Sequence, residues 1–130
     1  MNNLPGHYFA YELTDKSRAE LLQAFPPKFS KVICHHITID FNPTQDKLDA
    51  FLSTGSKLAV KVVGIAVGNG VQCLVVSING HTNRLDGSFY HITLSVEPPH
   101  KPVESNLLKD KVAKLDEHVV LEGSFQLLRK

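Results

Sequence analysis

A chain of 130 residues with 42% hydrophobic and 21% charged side chains fits one compact domain, residues 1–130, with a single core. Fourteen Lys and Arg against thirteen Asp and Glu leave a formal charge of +1, which excludes a chain-wide basic field of the kind that grips long nucleic acid non-specifically. The longest apolar run, Val71 to Ile78, falls far short of the roughly 20 residues that span a bilayer, so no membrane partner is expected. Met1-Asn2-Asn3-Leu4-Pro5-Gly6 has neither the basic nor the apolar region of a secretory signal, and the expectation is an intracellular, cytoplasmic protein. Cys34 and Cys73 both sit in apolar stretches where a thiol acts as a small hydrophobe, and no disulfide framework is expected.

Taken in chain order, His7 to Leu13 alternates with aromatic residues at period two and reads as a strand. Thr14-Asp15 then cap a short helix carrying Ala19, Leu21, Leu22 and Phe25, stopped at Pro26-Pro27. Val32 to Phe41 is rich in β-branched residues and reads as one long strand closed by Asn42-Pro43. Thr44 caps a second helix over Leu48, Phe51 and Leu52, closed near Gly55. Leu58 to Val67 and Val71 to Ile78 flank Asn69-Gly70, the strongest short hairpin signal. Asn79 to Gly87 is a polar loop long enough to reach over a pocket, Phe89 to Val96 a further strand, and Pro98-Pro99 with Pro102 an extended crossing. A helix over Leu107, Leu108 and Val112 follows, and His118 to Leu128 reads as a terminal strand interrupted at Gly123. The order β-α-β-α-β-β-β-α-β predicts an α+β class with antiparallel sheet and helices packed outside.

Two of these strands contain the same tripeptide, His36-Ile37-Thr38 and His91-Ile92-Thr93, each followed by an aliphatic residue. Side chains alternate across a strand, so His36 and Thr38 share one face opposite Ile37, Ile39 and Phe41. His91, Thr93 and Ser95 likewise oppose Tyr90, Ile92 and Leu94. If the strands lie together, two imidazoles and two hydroxyls surround one small volume. One imidazole can then take a proton while the other gives one, and the hydroxyls can donate to non-bridging phosphate oxygens. With seven histidines about one His-x-Ser/Thr match is expected by chance, but two matches in matching strand contexts carry a signal.

The paired His-Ile-Thr strands resemble the signature motifs of the two-histidine (2H) phosphoesterase superfamily, which includes RNA 2′,3′-cyclic phosphodiesterases and the cyclic phosphodiesterase domains of tRNA ligases. The resemblance implies a bilobal fold with antiparallel sheets lining a central cleft. It implies a catalytic pair, His36 and His91, with Thr38 and Thr93 as phosphate ligands. The implied activity is metal-independent phosphodiester hydrolysis on 2′,3′-cyclic phosphate RNA ends or small nucleotides, without a cofactor, by a monomer. Three rivals stand beside it: a hydrolase of 2′-5′ or cyclic signalling oligonucleotides, a module that binds an RNA end or nucleotide without turning it over, and a structural domain in which the two His-Ile-Thr strands are coincidence.

Other residues carry weaker readings. Tyr8 and Tyr11 can stack on a base or fill the core. Lys57, Lys61 and Arg84 can meet a phosphate or merely be solvated. His35 falls on the apolar face of the long strand and is expected to be buried and structural, while Asp40 and Glu97 close their strands and are candidates to orient a histidine. Cys34, His36, Cys73 and His81 lack metal-ligand spacing, so no metal site is expected.

Overall fold

The computed structural model describes residues 6–41, 43–53, 59–68, 70–84 and 88–129. The elements run β1 (His7–Leu13), α1 (Asp15–Ala24), β2 (Lys31–Val32), β3 (His36–Asp40), α2 (Gln45–Leu52), β4 (Val60–Gly68), β5 (Val71–Ile78) and β6 (His91–Val96). A 3₁₀ helix (Pro102–Lys111), β7 (Ala113–Val120) and β8 (Gly123–Arg129) complete the chain. The class is α+β, as the element order predicts. The strands form a three-stranded sheet in the order β3-β1-β8 and a five-stranded sheet in the order β2-β6-β5-β4-β7. Every pairing among the described strands is antiparallel.

Both helices start where their caps place them. The Thr14 hydroxyl accepts from Ser17 N at 3.1 Å and that of Thr44 from Lys47 N at 3.2 Å, each satisfying an amide that helical pairing leaves over. Leu21 of α1 and Leu48 of α2 enter the core. The side chains of Phe51 and Leu52, and Lys57, Leu58 and Gly55, lie outside the described residues. At the hairpin, Gly70 has φ +76°, and a Cβ there would collide with the His100 ring, so both backbone and space require glycine.

The expected single strand from Val32 to Phe41 is in fact two strands in two sheets. Up to Cys34 the chain pairs with β6, through Ile33 N to Leu94 O and Cys34 N to Thr93 O. Beyond it Leu13 N donates to His35 O, and β3 pairs with β1. The change of sheet falls at Cys34, whose φ of 45° lies in the left-handed region that costs a non-glycine residue about 1–2 kcal/mol. Burial of its side chain on all sides holds the turn in place. Alternation is reset there, which is why His35 is exposed rather than buried as expected.

Two further expectations change. The terminal run is also two strands: β7 is an edge strand on the larger sheet and β8 pairs with β1, with buried Leu121 between them. Most of β7 is exposed, so no apolar periodicity marks its beginning at Ala113. The segment over Leu107 and Leu108 is a 3₁₀ helix, in which Ser105 and Leu108, three residues apart, are buried and Leu107 is 77% exposed. Val112 lies beyond it.

The main core cluster joins Tyr11 and Leu13 of β1, Ile37 and Ile39 of β3, Leu74 and Val76 of β5, and Ile92 and Leu94 of β6. β3 and β6 are not hydrogen-bonded to each other, yet they come into contact where the two sheets meet. No helix among the described residues is long and apolar enough to cross a membrane.

Candidate active site

The faces of β3 and β6 opposite the core open on one cavity of about 430 Å³. His36 and Thr38 enter it from the smaller sheet, His91 and Thr93 from the larger. Thus the two tripeptides, 55 positions apart in the chain, do meet. The cause is the alternation read from the sequence: Ile37, Ile39, Ile92 and Leu94 bury one face of each strand, and the residues between them must point the other way.

Each imidazole has a different holder. His91 Nδ1 lies 3.0 Å from the carbonyl oxygen of Phe89, an acceptor only, so this nitrogen carries a proton and donates it. Nε2 is then the nitrogen that holds a lone pair when His91 is neutral and a second proton when it is charged. His36 Nδ1 lies 2.9 Å from Nδ1 of His35, one ring donating to the other. Burial, followed by the charges of His35 and His91, lowers the pKa of His36 from 6.5 to about 4, so His36 is neutral at physiological pH.

Each carboxylate that closes a strand has a partner other than a histidine. Asp40 pairs with Lys47 at 3.3 Å, and Glu97 accepts from Ser30 N at 3.0 Å, a bond that lowers its pKa. His35 holds His36, and the Phe89 carbonyl holds His91.

The two threonines differ. Thr38 lines the cavity. Thr93 lines it too, but its hydroxyl donates to Pro102 O at 3.1 Å, leaving its lone pairs to the Ser105 hydroxyl at 2.8 Å. To donate to a ligand, Thr93 must turn its proton away from the Pro102 carbonyl.

Tyr8 lines the cavity with its ring 5.4 Å from that of His36 and 6.2 Å from Phe41. Tyr11 does not: it is 8% exposed and packs edge-on against Phe125 in the core. Arg84 is 5% exposed and stands behind the wall rather than in the cavity. Its guanidinium sits 5.0 Å over the Phe41 ring, and it donates to Ser88 Oγ at 2.6 Å and to Asn106 Oδ1 at 2.8 Å. Phe41 and Asn106 are both wall residues, so Arg84 fixes two sides of a site it does not touch.

Phe41, Asn106, Ile33, Pro102 and Val103 complete the lining and carry no motif. Phe41 was expected on the core face, but it follows the end of β3, where alternation no longer governs it. Adjacency in the pair His35-His36 was the one available signal for His35. Burial raises the pKa of the Cys34 thiol to about 11 and that of Cys73 to about 12, so both are protonated and unreactive near neutrality. Among the described residues no three His, Cys, Asp or Glu side chains group together as metal ligands.

Comparisons with protein-family models, with curated proteins and with solved structures gave no match.

Proposed function

We propose that the protein is a phosphodiesterase that opens 2′,3′-cyclic phosphates at RNA ends or on small nucleotides by histidine acid/base catalysis, with no metal or cofactor. The observation that carries this reading is the convergence of His36 and His91, from strands in different sheets, on one cavity with their Nδ1 atoms held from behind. It supports the bilobal two-histidine architecture that the motifs imply, with the cavity lying where the two sheets meet.

The depressed pKa makes His36 the base. Neutral His36 takes a proton from a water molecule as the water oxygen bonds to phosphorus. His91, protonated and held through Nδ1–H by the Phe89 carbonyl, gives its Nε2 proton to the ribose oxygen as the P–O bond breaks. The two histidines finish with their protonation reversed and exchange protons with solvent to begin again. Thr38 is placed to donate to a non-bridging oxygen. Tyr8, Phe41 and Val103 give the cavity apolar walls suited to a base or ribose.

A second reading, a module that binds the RNA end without turning it over, draws support from Thr93, whose proton is committed to Pro102. Hydrolysis of 2′-5′ or cyclic signalling oligonucleotides uses the same atoms and is separated only by substrate.

The test is incubation with the four nucleoside 2′,3′-cyclic monophosphates in the presence of a chelator, beside His36→Ala and His91→Ala. Turnover that survives chelation and vanishes in both variants is the expected result. Turnover retained in either variant, or its loss on chelation, overturns the reading, and tight binding with no product leaves the binding module.

A further inference from the structure

A second cavity of about 510 Å³ lies on the larger sheet and shares no lining residue with the first. Its polar side chains are Lys61, Ser77, Asn79, Thr82, Lys114 and His118. Among the described residues neither lysine forms an ion pair with a carboxylate. Asp116 and Glu117, on the same strand as Lys114, are exposed and are not among the lining residues. One end of the cavity is a fixed turn: Asn79 and Gly80 have φ of 51° and 84°, Asn79 N donates to Ala59 O at 2.9 Å, and Ala59 N donates to Asn79 Oδ1 at 2.8 Å. That last bond leaves the amide nitrogen of Asn79, a donor, as the end turned from Ala59. Cations and donors in a concave, preformed site match an anionic ligand.

Strand register ties this cavity to the first. His91 is paired with Val75 on β5, Val75 with Gly64 on β4, and Gly64 with Lys114 on β7. Paired residues share a face, so His91 and Lys114 stand on the same side of the sheet. Ser77, two residues from Val75, and its partner Lys61 share that face as well. Three inter-strand steps separate His91 from Lys114, a Cα span of about 14 Å. Phe89 belongs to the same buried cluster as Val75, and its ring lies 4.9 Å from that of His91. One nucleotide at the histidines does not bridge that span, whereas a chain of nucleotides does.

We infer that the second cavity is a backbone-phosphate subsite for single-stranded RNA, holding a phosphate upstream of the end that lies at the histidines, so that the ligand is an oligonucleotide and not a mononucleotide. The identity of the reacting end rests on the phosphodiesterase reading above. The subsite itself rests on the cavity and the register. Of the lysines that the sequence offers as phosphate contacts, Lys61 finds its place here, away from the reacting site.

The experiment is equilibrium binding of a short 5′-labelled RNA with a 3′-monophosphate, by fluorescence anisotropy over a series of salt concentrations, beside calorimetry with a nucleoside 3′-monophosphate. The proteins are the unaltered chain, the double variant Lys61→Ala/Lys114→Ala and the charge-keeping double variant Lys61→Arg/Lys114→Arg, each with its circular dichroism spectrum checked. The alanine pair is expected to weaken RNA binding about tenfold at low salt and to reduce the slope of log affinity against log salt by about two, one per lysine. Mononucleotide affinity is expected to be unchanged, and the arginine pair to retain RNA binding. Unchanged RNA affinity in the alanine pair, equal loss for both ligands, or no RNA binding by the unaltered chain overturns the inference. Failure of the phosphodiesterase reading shows separately, as RNA bound through the lysines with no cyclic phosphate opened.

Discussion

His35 Nδ1 lies 2.9 Å from His36 Nδ1, and the two rings stand nearly perpendicular at 82°. Two consecutive residues of a regular strand point to opposite faces, so this contact exists only because the chain turns at Cys34 before β3 begins. The turn makes an exposed histidine the partner of a partly buried one. His35 is therefore a positioning residue: His35→Ala is expected to reduce turnover of a cyclic phosphate about 10-fold through a misplaced His36, with a melting temperature close to that of the unaltered protein. His35→Gln, whose amide oxygen can still accept from His36 Nδ1–H, restores part of the rate. Unchanged kcat/KM in His35→Ala removes this role.

Replacing either cavity histidine has a larger effect. His36→Ala and His91→Ala are each expected to lower kcat by about 10²–10⁴-fold, the usual contribution of a positioned acid or base. Circular dichroism should be preserved, because both rings line a cavity rather than fill the core.

The pH dependence follows from His36. Its folded pKa of about 4 lies below the ordinary 6.5, so between these values the unfolded chain binds more protons and folding stability rises with pH. The stabilisation is fully present above pH 6.5 and is lost as the pH falls toward 4, on the order of 3 kcal/mol in all. Melting temperature measured across this window should fall more steeply for the unaltered protein than for His36→Asn, and parallel curves contradict the assignment. In kinetics, the acid limb of kcat/KM that belongs to the base is expected near pH 4.

Arg84 joins the loop before β6 to the 3₁₀ helix, through Ser88 and Asn106. Arg84→Met keeps the length and loses the charge and donors, at an expected cost of about 2–3 kcal/mol, the range for buried hydrogen bonds to a charged group. Arg84→Lys should recover only part of this, since one ammonium does not reproduce the fork that serves both partners. Chemical denaturation of the three proteins measures it, and an Arg84→Lys variant as stable as the unaltered protein refutes the fork argument.

Gly70→Ala places a Cβ at positive φ and against the His100 ring. The expected loss is at least about 1–2 kcal/mol, read as a drop of several degrees in melting temperature.

Period-two alternation in Ile37-Thr38-Ile39 and Ile92-Thr93-Leu94 was enough, by itself, to place both histidines and both threonines opposite the core, because burial of one strand face forces the other outward. The hairpin at Gly70 and the caps at Thr14 and Thr44 were equally legible, being decided by neighbours within a few residues. The change of sheet at Cys34 was not, since Val32 to Phe41 is β-branched throughout and only pairing with β6 on one side and β1 on the other divides it. The same holds for Tyr11 in the core and Tyr8 in the cavity, and for Arg84 behind the wall, where the decision lies with distant partners such as Phe125 and Asn106. Local sequence determined the caps, the hairpin and the faces of the side chains within each His-Ile-Thr strand, because backbone geometry sets those patterns within a few residues. The meeting of those faces, the holders of each imidazole and the neutrality of His36 were decided only by tertiary structure, because burial and hydrogen bonding depend on which distant segments the fold packs together.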